Sequence, residues 1–301
     1  MNRFRLVCRT LVHFWRVNLA VCLGVAAATA VLTGALLVGD SMRGSLRKIS
    51  LDGLGRIDEI LIKERFFREQ LAAELKADPR FQKEFELAEP VILFPNASAS
   101  FDQSDQRTRN ANQVTLIGCR NGFWDFADPG IFPTGGEEKR PDFEQASTGL
   151  TVPIVLNEPL ANDLGISRKD LRTKDSREPG PILTVQIPKP QLINADNPIG
   201  KKEDLYETIA RLEVVEVLPA ESIGRFNLHP SQLLPRILYL PMETVQEALQ
   251  QDELANALLV SARSSARDPE RGTTEKQSEL LNSILRPKTQ DLGLIFKNVE
   301  Q

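Results

Sequence analysis

Residues able to do covalent or metal chemistry are scarce in this chain and poorly placed for it. There are two histidines and three cysteines in 301 residues. His13 stands at the edge of an apolar segment, and His229 lies in FNLHPSQ, just before a proline. A Ser-His-Asp or Cys-His site would have to use His229, but no G-x-S-x-G and no cysteine-centred signature accompanies it. GDSMRGS, 39–45, has the outline of a phosphate loop. It lacks the Lys-Ser/Thr after the second glycine and does not follow a strand. The acids of FDQSDQRTRNANQ, 101–113, have neither the glycine nor the spacing of a calcium loop. Gly135-Gly136 is a turn signal. Cys8 and Cys22 belong to the N-terminal segment, leaving Cys119 alone beyond it, so neither an internal disulfide there nor a zinc set is available. Cys119 ends the apolar run from Val114, which marks a buried thiol. The expectation is a protein without catalytic, cofactor or metal residues.

The elements are more informative. LAVCLGVAAATAVLTGALLV, Leu19–Val38, contains no Asp, Glu, Lys or Arg. A run of ~20 apolar residues is long enough to cross a bilayer, and it must do so as a helix because lipid offers no partner to open backbone groups. Phe14, Trp15 and Arg16 precede it, an aromatic and cationic cluster suited to the membrane boundary. Lys and Arg are nearly balanced across the two flanks, with Arg3, Arg5, Arg9 and Arg16 before the run and Arg43, Arg47, Lys48 and Arg56 after it. A short acid-free basic tail ahead of a long domain favours the tail inside and the domain outside. Ala28-Thr29-Ala30 resembles a signal-peptidase site, but the apolar run continues to Val38, longer than the roughly 7–15 residues of a cleaved signal. The expectation is an uncleaved anchor. Rows of small residues, Ala20/Gly24/Ala28 and Ala26/Ala30/Gly34, would let a second helix approach closely, and a homodimer is compatible with them.

The chain carries a net charge of −4, and with four arginines and no acids in its first 39 residues the remainder carries −8. Such a surface argues against a nucleic-acid partner. Membrane lipid is the partner the anchor implies. The rest of the chain is long enough for one large domain or two smaller subdomains.

Asp40–Leu54 continues the apolar run as a stalk helix, with Met42, Leu46, Ile49 and Gly53 on one face and Arg43, Arg47 and Lys48 on the other. A strand at Ile57–Ile62, a helix at Glu64–Ala77 with Phe67, Leu71 and Leu75 on one face, and a strand at Pro90–Phe94 form an expected β-α-β unit. The segment 101–113 reads as a polar loop or hairpin, Val114–Cys119 as a strand, and Gly122–Phe126 as an aromatic turn in which Trp124 anchors core. Further strands are expected at Val152–Leu156, Ile182–Ile187, Leu212–Leu218, Arg236–Leu240, Leu258–Ser261 and Leu292–Val299. Further helices are expected at Pro159–Leu164, capped by Gly165, at Met242–Leu254 and at Glu275–Leu285. Pro129–Gly149 and Pro188–Asp204 read as exposed loops. Short helices outnumbered by strands, with both β-α-β and β-β connections, give α+β. The expected organisation is a basic tail, 1–18, a transmembrane helix, 19–38, a stalk helix, 39–55, and an extracytoplasmic domain, 56–301.

Four segments resemble the N-terminal part of a MacB/FtsX-type ABC transporter permease. Leu37–Ile62, LVGDSMRGSLRKISLDGLGRIDEILI, is similar to that family's helix exit and first strand. VPIVLNEPLANDLGI, 152–166, is similar to its strand and short helix ending in Leu-Gly. RLEVVEVLP, 211–219, resembles a Val-Val-Gly-Val-like strand, with Glu216 where glycine is usual. ILYLPMETVQEAL, 237–249, resembles its strand-Pro-helix step. The resemblance implies a MacB-like periplasmic core domain on a single-pass anchor in the cell inner (plasma) membrane. It also implies an ABC ATPase subunit and further permease helices as partners, and a mechanical role in which ATP hydrolysis inside moves the domain outside. The family's later membrane helices have no counterpart before Gln301, so the expectation is a part of a permease rather than a complete one. The alternatives are an anchored or secreted binding module using the exposed loops, or a truncated, non-functional permease fragment.

Overall fold

The structure is a computed structural model. It describes residues 9–103, 107–128, 130–132, 140–143, 151–171, 180–188, 206–228, 231, 233–263, 275–288 and 291. The chain divides into two compact units, Met1–Ser50 and Leu51–Gln301.

The apolar run and the basic segment after it form one helix, α1 (Trp15–Asp52), unbroken over 38 residues. It is the one described helix long and apolar enough to cross a membrane. At 1.5 Å per residue it is roughly 57 Å long, against ~30 Å of hydrocarbon, so its charged part lies beyond the lipid wherever the apolar part spans it. Hydroxyl groups along it bond back to the preceding turn of the same helix. Thr29 Oγ1 donates to the Val25 carbonyl at 2.9 Å and Thr33 Oγ1 to the Thr29 carbonyl at 2.7 Å. The helix stops at Asp52, short of the expected boundary at 55, and Gly53–Arg56 form a turn.

The second unit is α+β. Its strands are β1 (Glu59–Arg68), β2 (Phe85–Gln103), β3 (Arg107–Cys119), β4 (Val152–Asn157), β5 (Ile182–Pro188), β6 (Tyr206–Leu218), β7 (Arg236–Pro241) and β8 (Leu254–Ala262). Its helices are α2 (Gln70–Ala77), α3 (Pro79–Glu84), α4 (Glu158–Leu164), α5 (Met242–Leu249) and α6 (Glu275–Ile284). The strands lie in the order β1-β8-β2-β3-β7-β4-β6-β5, and β5 pairs back onto β2. Six strands therefore close on themselves, β2-β3-β7-β4-β6-β5, while the first part of β2 leaves this ring to pair with β8, which pairs with β1. Closure removes free edges from that part of the sheet.

Most expected strands are observed, with three differences and one alternative decided. First, Glu64–Arg68 is strand, not helix. The pairing of β1 with β8 is interrupted after Ile62 and resumes with Phe67 opposite Ala255, which buries Phe67, and α2 begins only at Gln70. Second, β1 and β2 are not neighbours, because β8 lies between them, antiparallel to both. Of the two alternatives for 101–113, loop or hairpin, the hairpin is observed, with Ser100 opposite Asn110 and Phe101 opposite Arg109. Third, α5 ends at Leu249. Gln250 takes the left-handed conformation (φ 55°) and its N–H caps the carbonyls of Gln246 and Glu247, so that Leu254 can start β8. The expected strand at Leu292–Val299 lies outside the described residues.

The sheet is buried on both faces, which the alternation along its strands records. On β7, Leu238 and Leu240 join one apolar cluster with Ile154, Leu156, Leu116 and Val185, which α2, α4 and α5 cover. Ile237 and Tyr239 join the other, with Trp124, Phe123, Phe126 and Ile223 from two 3-10 turns, Asn121–Phe126 and Ser222–Arg225. Asn157 ties these layers together. Its Oδ1 accepts from the N–H groups of Leu160, capping α4, and of Ile237 on β7, while its Nδ2 donates to the carbonyls of Gly224 and Pro235.

Candidate functional site

Among the described residues, the groups singled out for chemistry do not converge. Cys119 is fully buried, and burial pushes its thiol well above the ordinary range, away from the reactive thiolate. Cys22 is exposed on α1. His13 stands edge-on to Phe14 at 4.8 Å. GDSMRGS lies inside α1, where the helix takes up the N–H groups that a phosphate loop would need free. Asp102 accepts from Thr108 Oγ1 at 2.7 Å across the β2–β3 hairpin. Cys8, His229, Gly135-Gly136, most of 129–149 and the whole of 189–204 lie outside the described residues. Trp124 is the core anchor expected, packed against Phe123, Phe132, Phe143 and Tyr239 with ring centroids 5.4–6.1 Å apart.

What the second unit does build is a joint directly after α1. Gly55 has φ +56°, and a Cβ there would lie 2.6 Å from the Phe126 carbonyl oxygen and 2.9 Å from Ser222 Oγ. Only glycine fits that backbone in that space. Arg56 N–H donates to the Phe126 carbonyl at 2.9 Å, and its guanidinium pairs with Glu86 of β2 at 2.9 Å. Ile57 is buried beside Val91 and Leu259 in one of the two clusters. Asp58 N–H donates to the Val260 carbonyl, and Asp58 Oδ2 accepts from Ala262 N–H, both at 2.9 Å and both on β8. Four consecutive residues are thus held by a 3-10 turn, β2 and β8. From sequence, Gly53-Leu54-Gly55 reads only as a helix stop. The partners that make it a joint come from distant parts of the chain and leave no local mark.

Beside the joint is a cavity of about 540 Å³, walled by Leu87, Trp124 and Phe132 and rimmed by Arg56, Asp125 and Arg140. A second polar cluster locks the end of β1. Arg120, next to Cys119, bridges Glu69 and Glu243, and Gln246 donates to Glu69 at 3.1 Å.

No family model matches the sequence, and no curated protein matches it. Among solved structures, the periplasmic region of MacB from Actinobacillus actinomycetemcomitans is similar at 12% identity and a TM-score of 0.39, over 74% of this chain and 72% of that one. The extracellular domain of the noncanonic ABC-type transporter YknZ from Gram-positive bacteria is similar at 12% identity and a TM-score of 0.40, over 76% and 85%. At that identity and those scores, neither likeness assigns the chain to a family.

Proposed function

We propose that this chain is the membrane-anchored outer part of an ABC-type transporter permease. In this reading it performs no chemistry. α1 crosses the membrane, residues 51–301 lie outside the cytoplasm, and an ATPase subunit works on the inner side with further permease helices. Nucleotide-driven movement reaches the outer unit along α1, and the joint at Gly55–Asp58 receives it.

The observation that carries this reading is the continuity of α1. One helix runs from the apolar segment through the basic one to Asp52, three residues ahead of a glycine that tolerates no side chain. An unbroken helix transmits displacement along its axis, whereas a flexible tether would dissipate it. The four segments resembling a MacB/FtsX-type permease, among them the helix exit and first strand at 37–62, support the transporter context.

The test is capture of the full chain from detergent extracts of its native membrane. The reading expects an ATP-hydrolysing subunit to co-purify, with its hydrolysis sensitive to vanadate. A chain that purifies repeatedly without any ATPase subunit would overturn it.

A further inference from the structure

β1 is the last strand on its side of the sheet. β8 pairs with one of its edges, and among the described residues no strand pairs with the other. An open edge is a row of backbone N–H and C=O groups that another strand can take up. Ile62, within β1, is 46% exposed, and Leu61 and Phe66 are only partly buried against the core. β1 is also the first strand after the joint, so whatever covers this edge holds the residues that follow Asp58.

The chain after α6 is delivered to this edge. At one end of β1, Ser278 Oγ of α6 donates to the Glu59 carboxylate at 2.5 Å. At the other end, Arg68 N–H donates to Asp291 Oδ1 at 3.1 Å. The next N–H, that of Glu69, donates to the Glu253 carbonyl at 3.0 Å, on the β8 side. Successive backbone groups of a strand alternate in direction, so the Arg68 N–H points away from β8, and Asp291 stands on the open edge. The chain turns there, with Asp291 N–H donating to the Lys288 carbonyl at 3.0 Å. The sequence that follows is LGLIFKNV, 292–299. Leu292, Leu294 and Phe296 alternate on one side, Ile295 and Val299 fall on the other, and Lys297 is its one charge. It contains no proline. Extended, eight residues reach about 27 Å, comparable with the ten-residue β1.

We infer that the open edge of β1 is the docking site of residues 292–299 of this same chain, added there as one more strand. A segment that starts beside Arg68 can lie along β1 only by running toward Glu59, antiparallel to it. Backbone hydrogen bonds hold it, and its apolar side chains cover Leu61, Ile62 and Phe66. The six-residue step from Asp291 brings Lys297 level with Ile62, a diagonal neighbour of Glu64. The edge is then closed to other chains, and β1 is held from both sides directly after the joint. A groove between α2 and α6, floored by Leu71, Leu75, Ile284 and Leu285, is also within reach of Leu292. At about 310 Å³ it is too small to take the whole segment. The inference rests only on residues of the second unit and not on the transporter reading.

The test is hydrogen exchange of the full chain in detergent, read by mass spectrometry with fragmentation to single amides. The expected result is that amides within 292–299 exchange at least about tenfold more slowly than in an unstructured peptide, at every protein concentration. Ile295→Pro removes a ladder donor in the middle of the segment and lifts the pairing. It is expected to speed exchange of the outward amides between Glu59 and Phe67 about tenfold, with exchange in β7 unchanged. Four results would each overturn the docking. They are exchange of 292–299 at the unstructured rate, β1 protection that rises with protein concentration as a second copy takes the edge, unchanged β1 exchange in folded Ile295→Pro, and loss of protection at Leu71 and Leu75 instead of β1. Should Ile295→Pro fail to fold, Val299→Pro, at the far end of the segment, carries the test. It is expected to speed exchange at Glu59–Leu61 and leave Arg68 protected, and unchanged exchange at Glu59–Leu61 would overturn the inference.

Discussion

The Arg68 guanidinium and the Asp291 carboxylate, at positions 223 residues apart, form a two-pronged ion pair. Nε donates to Oδ1 at 3.0 Å and Nη2 to Oδ2 at 2.9 Å. The backbone N–H of Arg68 and that of Lys288 complete the carboxylate's partners, at 3.1 and 2.7 Å. Asp291 is buried at 1% exposure, and Arg68 also reaches Glu74. The pair pins the chain beyond α6 to the last residue of β1.

Acid should therefore loosen this end of the unit. Burial pulls the Asp291 carboxyl upward, but the hydrogen bonds from Arg68 and Lys288 outweigh it and hold the group below its ordinary range. A depressed carboxyl contributes stability that is fully present above its unfolded value, ~3.9, and is lost as pH falls through the lower folded value. Asp291→Ala should cost about 2–3 kcal/mol near neutrality, at the low end for a broken buried pair because Arg68 keeps Glu74. The same variant should flatten the acid limb of the stability curve below about pH 4. Denaturant unfolding across pH checks both.

The joint makes a contrast between two glycines. Gly44 lies in α1 with nothing within 4 Å of an added Cβ, while Gly55 is left-handed and closed in by the Phe126 oxygen. Gly44→Ala should be neutral or stabilising by up to ~1 kcal/mol through helix propensity. Gly55→Ala should destabilise the second unit by at least ~2 kcal/mol, combining left-handed strain with the contact. Thermal unfolding of the two variants side by side reads the difference. Equal midpoints would remove the joint from the account.

Cys119, the one cysteine in residues 51–301, should be silent to thiol reagents in the folded chain. Cys119 is fully buried, and burial raises its thiol. A water-soluble aromatic disulfide reagent at pH 8 should leave Cys119 unmodified in the native protein and modify it on unfolding in denaturant. The check is mass spectrometry of the peptide that carries it. Rapid native labelling would contradict the packing described around β3.

The proposed passage of movement along α1 is tested at Leu46, in the middle of the charged part of that helix. Proline there removes a helix hydrogen bond and clashes with the preceding turn, a cost of ~3 kcal/mol or more to the helix interior. Leu46→Pro should leave the unfolding of the second unit unchanged, and under the transporter function proposed above it should abolish transport by the complex containing this chain. A folded Leu46→Pro chain supporting full transport would reduce α1 to a tether.

Local pattern made much of the fold legible. LEVVEVL alternates and lies in β6, and NEPLANDLG carries a cap, an early proline and a terminal glycine, which give α4 with Asn157 before it and Gly165 (φ 69°) after it. Phe67, Leu71 and Leu75 misled because their spacing of four imitates one helix face. Phe67 instead enters the same core from β1, while Leu71 and Leu75 enter it from α2. The insertion of β8 between β1 and β2 was not legible, since adjacency of strands distant in sequence has no local signature. Nor was the cavity, whose wall joins Leu87 of β2 to Trp124 of a 3-10 turn. Trp124 reads as core from sequence, and the aromatic partners that enclose it, Phe132, Phe143 and Tyr239, come from other parts of the chain.

The most direct test of the central claim is protease protection in sealed, right-side-out membranes from cells making the full chain. The account predicts that added protease digests residues 51–301 without detergent and leaves a membrane-protected fragment containing the uncleaved N-terminus and Leu19–Val38. A second unit that resists protease until the membrane is dissolved, or a mature chain beginning near Val31, would contradict it.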